Sequence, residues 1–114
     1  RREHMQTLTT AGTGIAMAFS SAFAASPPLG PQRQNELVHL VRQDCGSCHG
    51  MQLRGGLGPA LTPETLKDKP ADSLVSTILH GRPGTAMPPW KNLLSESEAD
   101  WIVDRLQKGF PDAR

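Results

Sequence analysis

Apolar positions recur along this chain at helical rather than alternating spacing. Leu37, Leu40 and Val41 share one stripe, Leu74, Ile78 and Leu79 a second, and Ile102, Val103 and Leu106 a third; no alternating stretch is long enough for a strand. The pattern predicts an all-α fold of 3–5 helices. The first spans residues 35–44 with Asn35 as its N-cap. A short one opens at Thr62, Pro63 and Glu64 and stops before Pro70. The third runs over Ala71–His80 and ends at Gly81. The last opens on the capping box from Ser95 to Glu98 and ends at Lys108 and Gly109. Residues 82–92 contain Pro83, Pro88 and Pro89 and are predicted to be non-helical.

One apolar run obeys a different logic. Arg1 and Arg2 lead into a weakly apolar stretch from Leu8 to Phe23, followed by Ala22-Phe23-Ala24 and then Ser26-Pro27-Pro28. That order predicts a secretory signal over 1–24, cut after Ala24, then a linker over 25–31, a folded domain over 32–110 and a tail over 111–114. The run is too short and too polar for a permanent membrane anchor, and export places the mature domain in the periplasm.

From Ala25 onward, ten Lys or Arg residues face ten Asp or Glu residues, so the domain is near neutral and nothing favours nucleic acid. Its aromatic residues are Trp90, Trp101 and Phe110. So thin a core, in a domain this small, normally needs a disulfide, a metal or a cofactor.

Cys45-Gly46-Ser47-Cys48-His49 supplies the missing element. Two thiols three positions apart can add to two vinyl groups on one porphyrin edge, and the adjoining His49 is then carried under the iron as first axial ligand. Other readings of the pair fare worse. A structural zinc site needs further ligands, for which only His39 and His80 remain. A redox dithiol belongs after a strand in a βαβ unit, which is missing here. A plain disulfide leaves the small core unexplained.

The second axial ligand must come from elsewhere. Met5 and Met17 fall in the segment predicted to be removed, and Met51 is too close to His49 in sequence to wrap around the ring. Met87 remains, 38 residues past His49 and followed by Pro88 and Pro89, which restrict its backbone. His80 is the alternative. His39 points away from the first apolar stripe and reads as a surface residue. In the Gly-rich stretch 55–61, the carbonyl of Pro59 is the candidate acceptor for the other ring N–H of His49, and the glycines allow backbone to approach the ring closely. Arg54 and Arg82 are candidates for pairing with haem propionates.

With the attachment motif, the Gly58-Pro59-Ala60-Leu61 stretch and Met87-Pro88-Pro89 in order between two helices, residues 32–110 resemble the class I cytochrome c family. The resemblance implies one covalent haem c, His49 and Met87 as the axial pair, and first and last helices that cross near perpendicular. Where that family often has an aromatic near Arg105, this chain offers Trp101. The segment from His80 to Trp90, together with the short chain, is similar to small cytochromes associated with haem-d1-containing nitrite reductase of denitrifying bacteria. That implies a periplasmic one-electron carrier rather than an enzyme, with nitrite reductase or the machinery maturing its haem d1 as partner. A small-ligand sensor or haem enzyme is the alternative, should Met87 leave the iron. The domain is expected to be monomeric, with exchange of the last helix between two copies as a further possibility.

Overall fold

The first helix begins at a proline, not at the asparagine that the sequence offers as a cap. The structure is a computed structural model that describes residues 11–17 and 28–112. α1 spans Pro31–Leu40, with Gly30 as N-cap and Pro31 preset for the first turn; the Gln34 amide donates to the Gly30 carbonyl at 3.0 Å. Asn35 therefore lies inside the helix. The helical run also passes its predicted end at Asp44. A single π-helical turn, Val41–Cys45, follows α1 and closes on a bond from the Gly46 amide to the Val41 carbonyl. It leads without interruption into α2, Gly46–His49, so the attachment motif is itself helical.

α3 (Pro63–Leu66) has Thr62 as N-cap, and α4 covers Ala71–His80 up to Gly81. α5 spans Glu96–Lys108 and carries both halves of the expected capping box: the Glu98 amide donates to Ser95 Oγ at 3.1 Å, and the Ser95 amide donates to Glu98 Oε1 at 2.9 Å. Among the described residues there is no strand, and no helix is long and apolar enough to cross a membrane. The all-α fold expected from the apolar stripes is the fold observed.

The three stripes meet in the core. Leu37 and Val41 from the first helical run pack with Leu53, Leu66, Leu94, Ile102 and Leu106, while Val75, Ala99 and Val103 join α4 to α5. Trp101 lies against the cluster that holds Leu37 and Val41, and Phe110 meets Trp101 edge-on at 6.4 Å. An ion pair between Arg33 and Glu98 links α1 to the start of α5.

The signal sequence predicted over 1–24 and most of the linker fall outside the described residues. The part that is described, 11–17, is exposed and without regular secondary structure.

Candidate functional site

Cys45, Cys48, His49, Pro59 and Met87 all line one cleft of about 860 Å³, within the range of cavities that take small molecules or cofactors. Three regions of the chain bring them together. The π turn and α2 deliver the two cysteines and His49, the Gly-rich loop brings Pro59 beneath His49, and the segment after α4 brings Met87. The opposing walls are apolar: Leu61 and Leu66, Leu74 and Ile78 from α4, Trp90, and Ile102 from α5.

The loop reaches His49 through backbone hydrogen bonds to the attachment helix. The Gly55 amide donates to the His49 carbonyl and the Gly58 amide to the Cys48 carbonyl, both at 2.8 Å. These bonds cap the C-terminal end of the short helix α2, where carbonyls lack partners within it. They set the Pro59 carbonyl 2.7 Å from His49 Nδ1. A carbonyl can only accept, so Nδ1 carries the proton and Nε2 keeps its lone pair for a metal.

Gly58 makes this approach possible. A Cβ at that position would stand 2.7 Å from His49 Nδ1 and Cε1, closer than packed atoms come. The expectation that glycines let backbone approach a ring holds here for the imidazole. Leu53 carries no signal in the sequence that marks it as core. It is nevertheless 3% exposed and pins the Gly-rich loop to the core, despite a φ of 58° that is costly for a residue with a side chain.

No disulfide joins Cys45 to Cys48. Burial pushes the Cys45 thiol up to about 11, and the neighbouring Asp44 carboxylate adds to the shift. Cys45 packs against the main core cluster. Among the described residues no three or more His, Cys, Asp or Glu side chains are grouped so that they could hold a metal ion.

The two candidates for the second axial position are separated. Met87 is half-buried and lines the cleft that contains His49. His80, at the end of α4, lines a different groove of about 210 Å³ with Asp72, Glu96 and Asp100. Arg82 lines the main cleft, Arg54 is exposed and not part of its lining, and His39 is exposed as expected.

The donor set fits a covalently held porphyrin. It combines two thiols at one edge of an apolar cleft, an imidazole oriented by a backbone acceptor, and a thioether from another segment lining the same space.

Comparison with known proteins agrees with that fit. The sequence profile of the family described as cytochrome c oxidase, cbb3-type, subunit III matches residues 32–104. Cytochrome c55X of Stutzerimonas stutzeri is 55% identical over 102 residues, covering 86% of this chain and 88% of the relative. The solved structure of a c-type cytochrome NirC superposes with a TM-score of 0.70 at 61% identity, covering 72% of this chain and 96% of that one. The dihydro-heme d1 dehydrogenase NirN, solved in complex with DHE, matches with a TM-score of 0.59 at 38% identity, over 68% of this chain but only 16% of that protein.

Proposed function

Because this chain belongs to the class I c-type cytochromes, as a small member like cytochrome c55X with a covalently bound haem c, we propose that it is a periplasmic one-electron carrier serving haem-d1-containing nitrite reductase. The observation that carries this reading is the shared cleft: Cys45, Cys48, His49 and Met87 line it, and His80 does not.

Bound haem c supplies the ferric–ferrous couple. The protein's part is to hold and tune it. Cys45 and Cys48 would hold it covalently, and His49 would offer its Nε2 to the iron, with Pro59 accepting from Nδ1 and raising the imidazole's basicity. Met87, lining the same cleft, would offer its thioether to the iron. Met with His ligation favours a relatively high potential. If His49 and Met87 both bind the iron, no coordination position would be left for a substrate. On this reading the chain carries electrons and the catalysis is done by its partner. Cys45 and Cys48 are only half-buried, so the edge that they hold would be the exit route for electrons. A near-neutral domain suits a small, transient contact of less than about 1,200 Å². Export through the signal predicted over 1–24 places it with a periplasmic partner.

A second reading is favoured by one observation, the 38% identity to a domain of a dihydro-heme d1 dehydrogenase. In it the electrons are exchanged with the proteins that mature haem d1 instead of with the finished reductase.

The absorption spectrum of protein matured in an exporting host tests the ligand assignment. The weak near-infrared band of Met bound to ferric iron should be present and should vanish in Met87→Ala. Stopped-flow mixing of the reduced protein with nitrite reductase then tests the partner, and transfer no faster than to an unrelated acceptor sinks that part.

A further inference from the structure

Met87 lies in a segment without a helix, yet a closed set of hydrogen bonds holds it. The Arg82 amide donates to the Met87 carbonyl at 3.2 Å, and the Arg82 carbonyl accepts from both the Thr85 amide at 3.0 Å and the Thr85 hydroxyl at 2.6 Å. The Met87 amide donates to Thr85 Oγ1 at 3.3 Å. One hydroxyl therefore donates to one side of this small circuit and accepts from the other.

The outer side of the turn is open: a Cβ at Gly84 would meet nothing within 4 Å. Pro88 and Pro89 have no N–H, so Met87 carries the last backbone donor before Trp90. The Trp90 amide is already used, by the Ile78 carbonyl at 3.0 Å. The near end is closed by Gly81, where φ is 68° and a Cβ would stand 2.7 Å from the Met87 carbonyl oxygen. Between two fixed ends, the Met87 backbone is held by the Thr85 side chain.

We propose that Thr85 is a positioning residue for the Met87 thioether: by fixing the Met87 amide, its hydroxyl keeps the sulfur in the haem cleft and resists its displacement by outside ligands. The inference rests on the reading that Met87 is the second axial ligand. A Thr85 that served only to tidy a surface turn would affect stability alone.

Ferric holo-protein titrated with imidazole separates these. T85V should keep its covalent haem and its near-infrared band but bind imidazole about fivefold more tightly, as expected when the Met87 amide loses an ordinary hydrogen bond, while T85S stays within about twofold of wild type. S95A, which removes the cap of α5 on another part of the molecule, should lower the melting temperature and leave imidazole affinity unchanged. Should T85V mature poorly, T85A is read by the same titration. Wild-type imidazole affinity in these Thr85 variants overturns the role of Thr85 while leaving the ligand assignment standing. A wild-type protein without the band, or a Met87→Ala variant that retains it, overturns both.

Discussion

The guanidinium of Arg42 lies 5.5 Å from the centre of the Phe110 ring, and its Nη2 donates to the Phe110 carbonyl at 3.0 Å. The same group reaches the Pro111 carbonyl at 2.9 Å. Arg42 belongs to the π turn just before Cys45, so the chain beyond α5 is strapped to the segment that carries the attachment motif. Arg42→Leu should cost about 1–3 kcal/mol, combining a cation–π contact with charged hydrogen bonds. Removing residues 110–114 should cost at least as much, because Phe110 also packs on Trp101. Thermal melts of both variants and their combination check this. Because the two changes remove the same contacts, the combined loss should fall short of the sum, and strict additivity would refute the strap.

Gly58→Ala places a methyl group where the His49 ring now sits. Either the loop withdraws Pro59 or the imidazole turns, at a cost of about 1–3 kcal/mol. The expected result is a lower melting temperature together with a changed reduction potential, read by redox titration. An unchanged potential would mean that the bond from His49 to Pro59 survives.

Glu98 caps α5 and pairs with Arg33, and the Arg33 guanidinium holds its carboxyl below the usual carboxylate range. A carboxyl depressed in the folded state stabilises fully above its unfolded value of about 4.3, and this contribution is lost as pH falls through the folded value. Glu98→Gln should therefore be less stable than wild type by about 0.5–1 kcal/mol at pH 7, from the lost charge facing the partly exposed Arg33, since a Gln carbonyl still caps the Ser95 amide. Denaturant melts should show the gap narrowing as pH falls towards 3. A gap independent of pH would assign the effect to packing.

Gln107 donates from Nε2 to the carbonyls of Leu66 and Lys69, at 3.1 and 3.0 Å. It ties α5 to the turn between α3 and α4, and both acceptor residues line the cleft. Gln107→Leu should cost about 1–2 kcal/mol in a denaturant melt, and Gln107→Glu should not rescue it, since a carboxylate cannot donate to either carbonyl.

Helices whose ends are marked by local chemistry are legible in the amino-acid pattern alone. The α4 bounds, the α5 capping box and the Thr62–Pro63 start depend on residues within one turn of each other. The start of α1 is not legible in this way, because Asn35 and Pro31 are both acceptable openings and only the run of packed residues chooses between them. The π turn leaves no mark that spacing could reveal. Leu53 and Leu57 make the same point: both are leucines in the loop between α2 and α3, yet one is 3% and the other 95% exposed.

The chemistry is carried by short-range pattern. Cys45, Cys48 and His49 are held in fixed relation by one turn of chain, so sequence by itself determined that two thiols and one imidazole stand together in one cleft, a pattern that fits a covalently bound haem c. Which second ligand shares that space is a different kind of question. Met87 and His80 lie seven positions apart, and only the packing of α4 against α5, with Gly81 turning the chain, sends one into the cleft and the other into a separate groove. The placement of the Pro59 carbonyl and the tie from Arg42 to Phe110 were likewise decided by tertiary structure, because contacts between residues distant in the chain depend on how the elements pack, which no local spacing encodes.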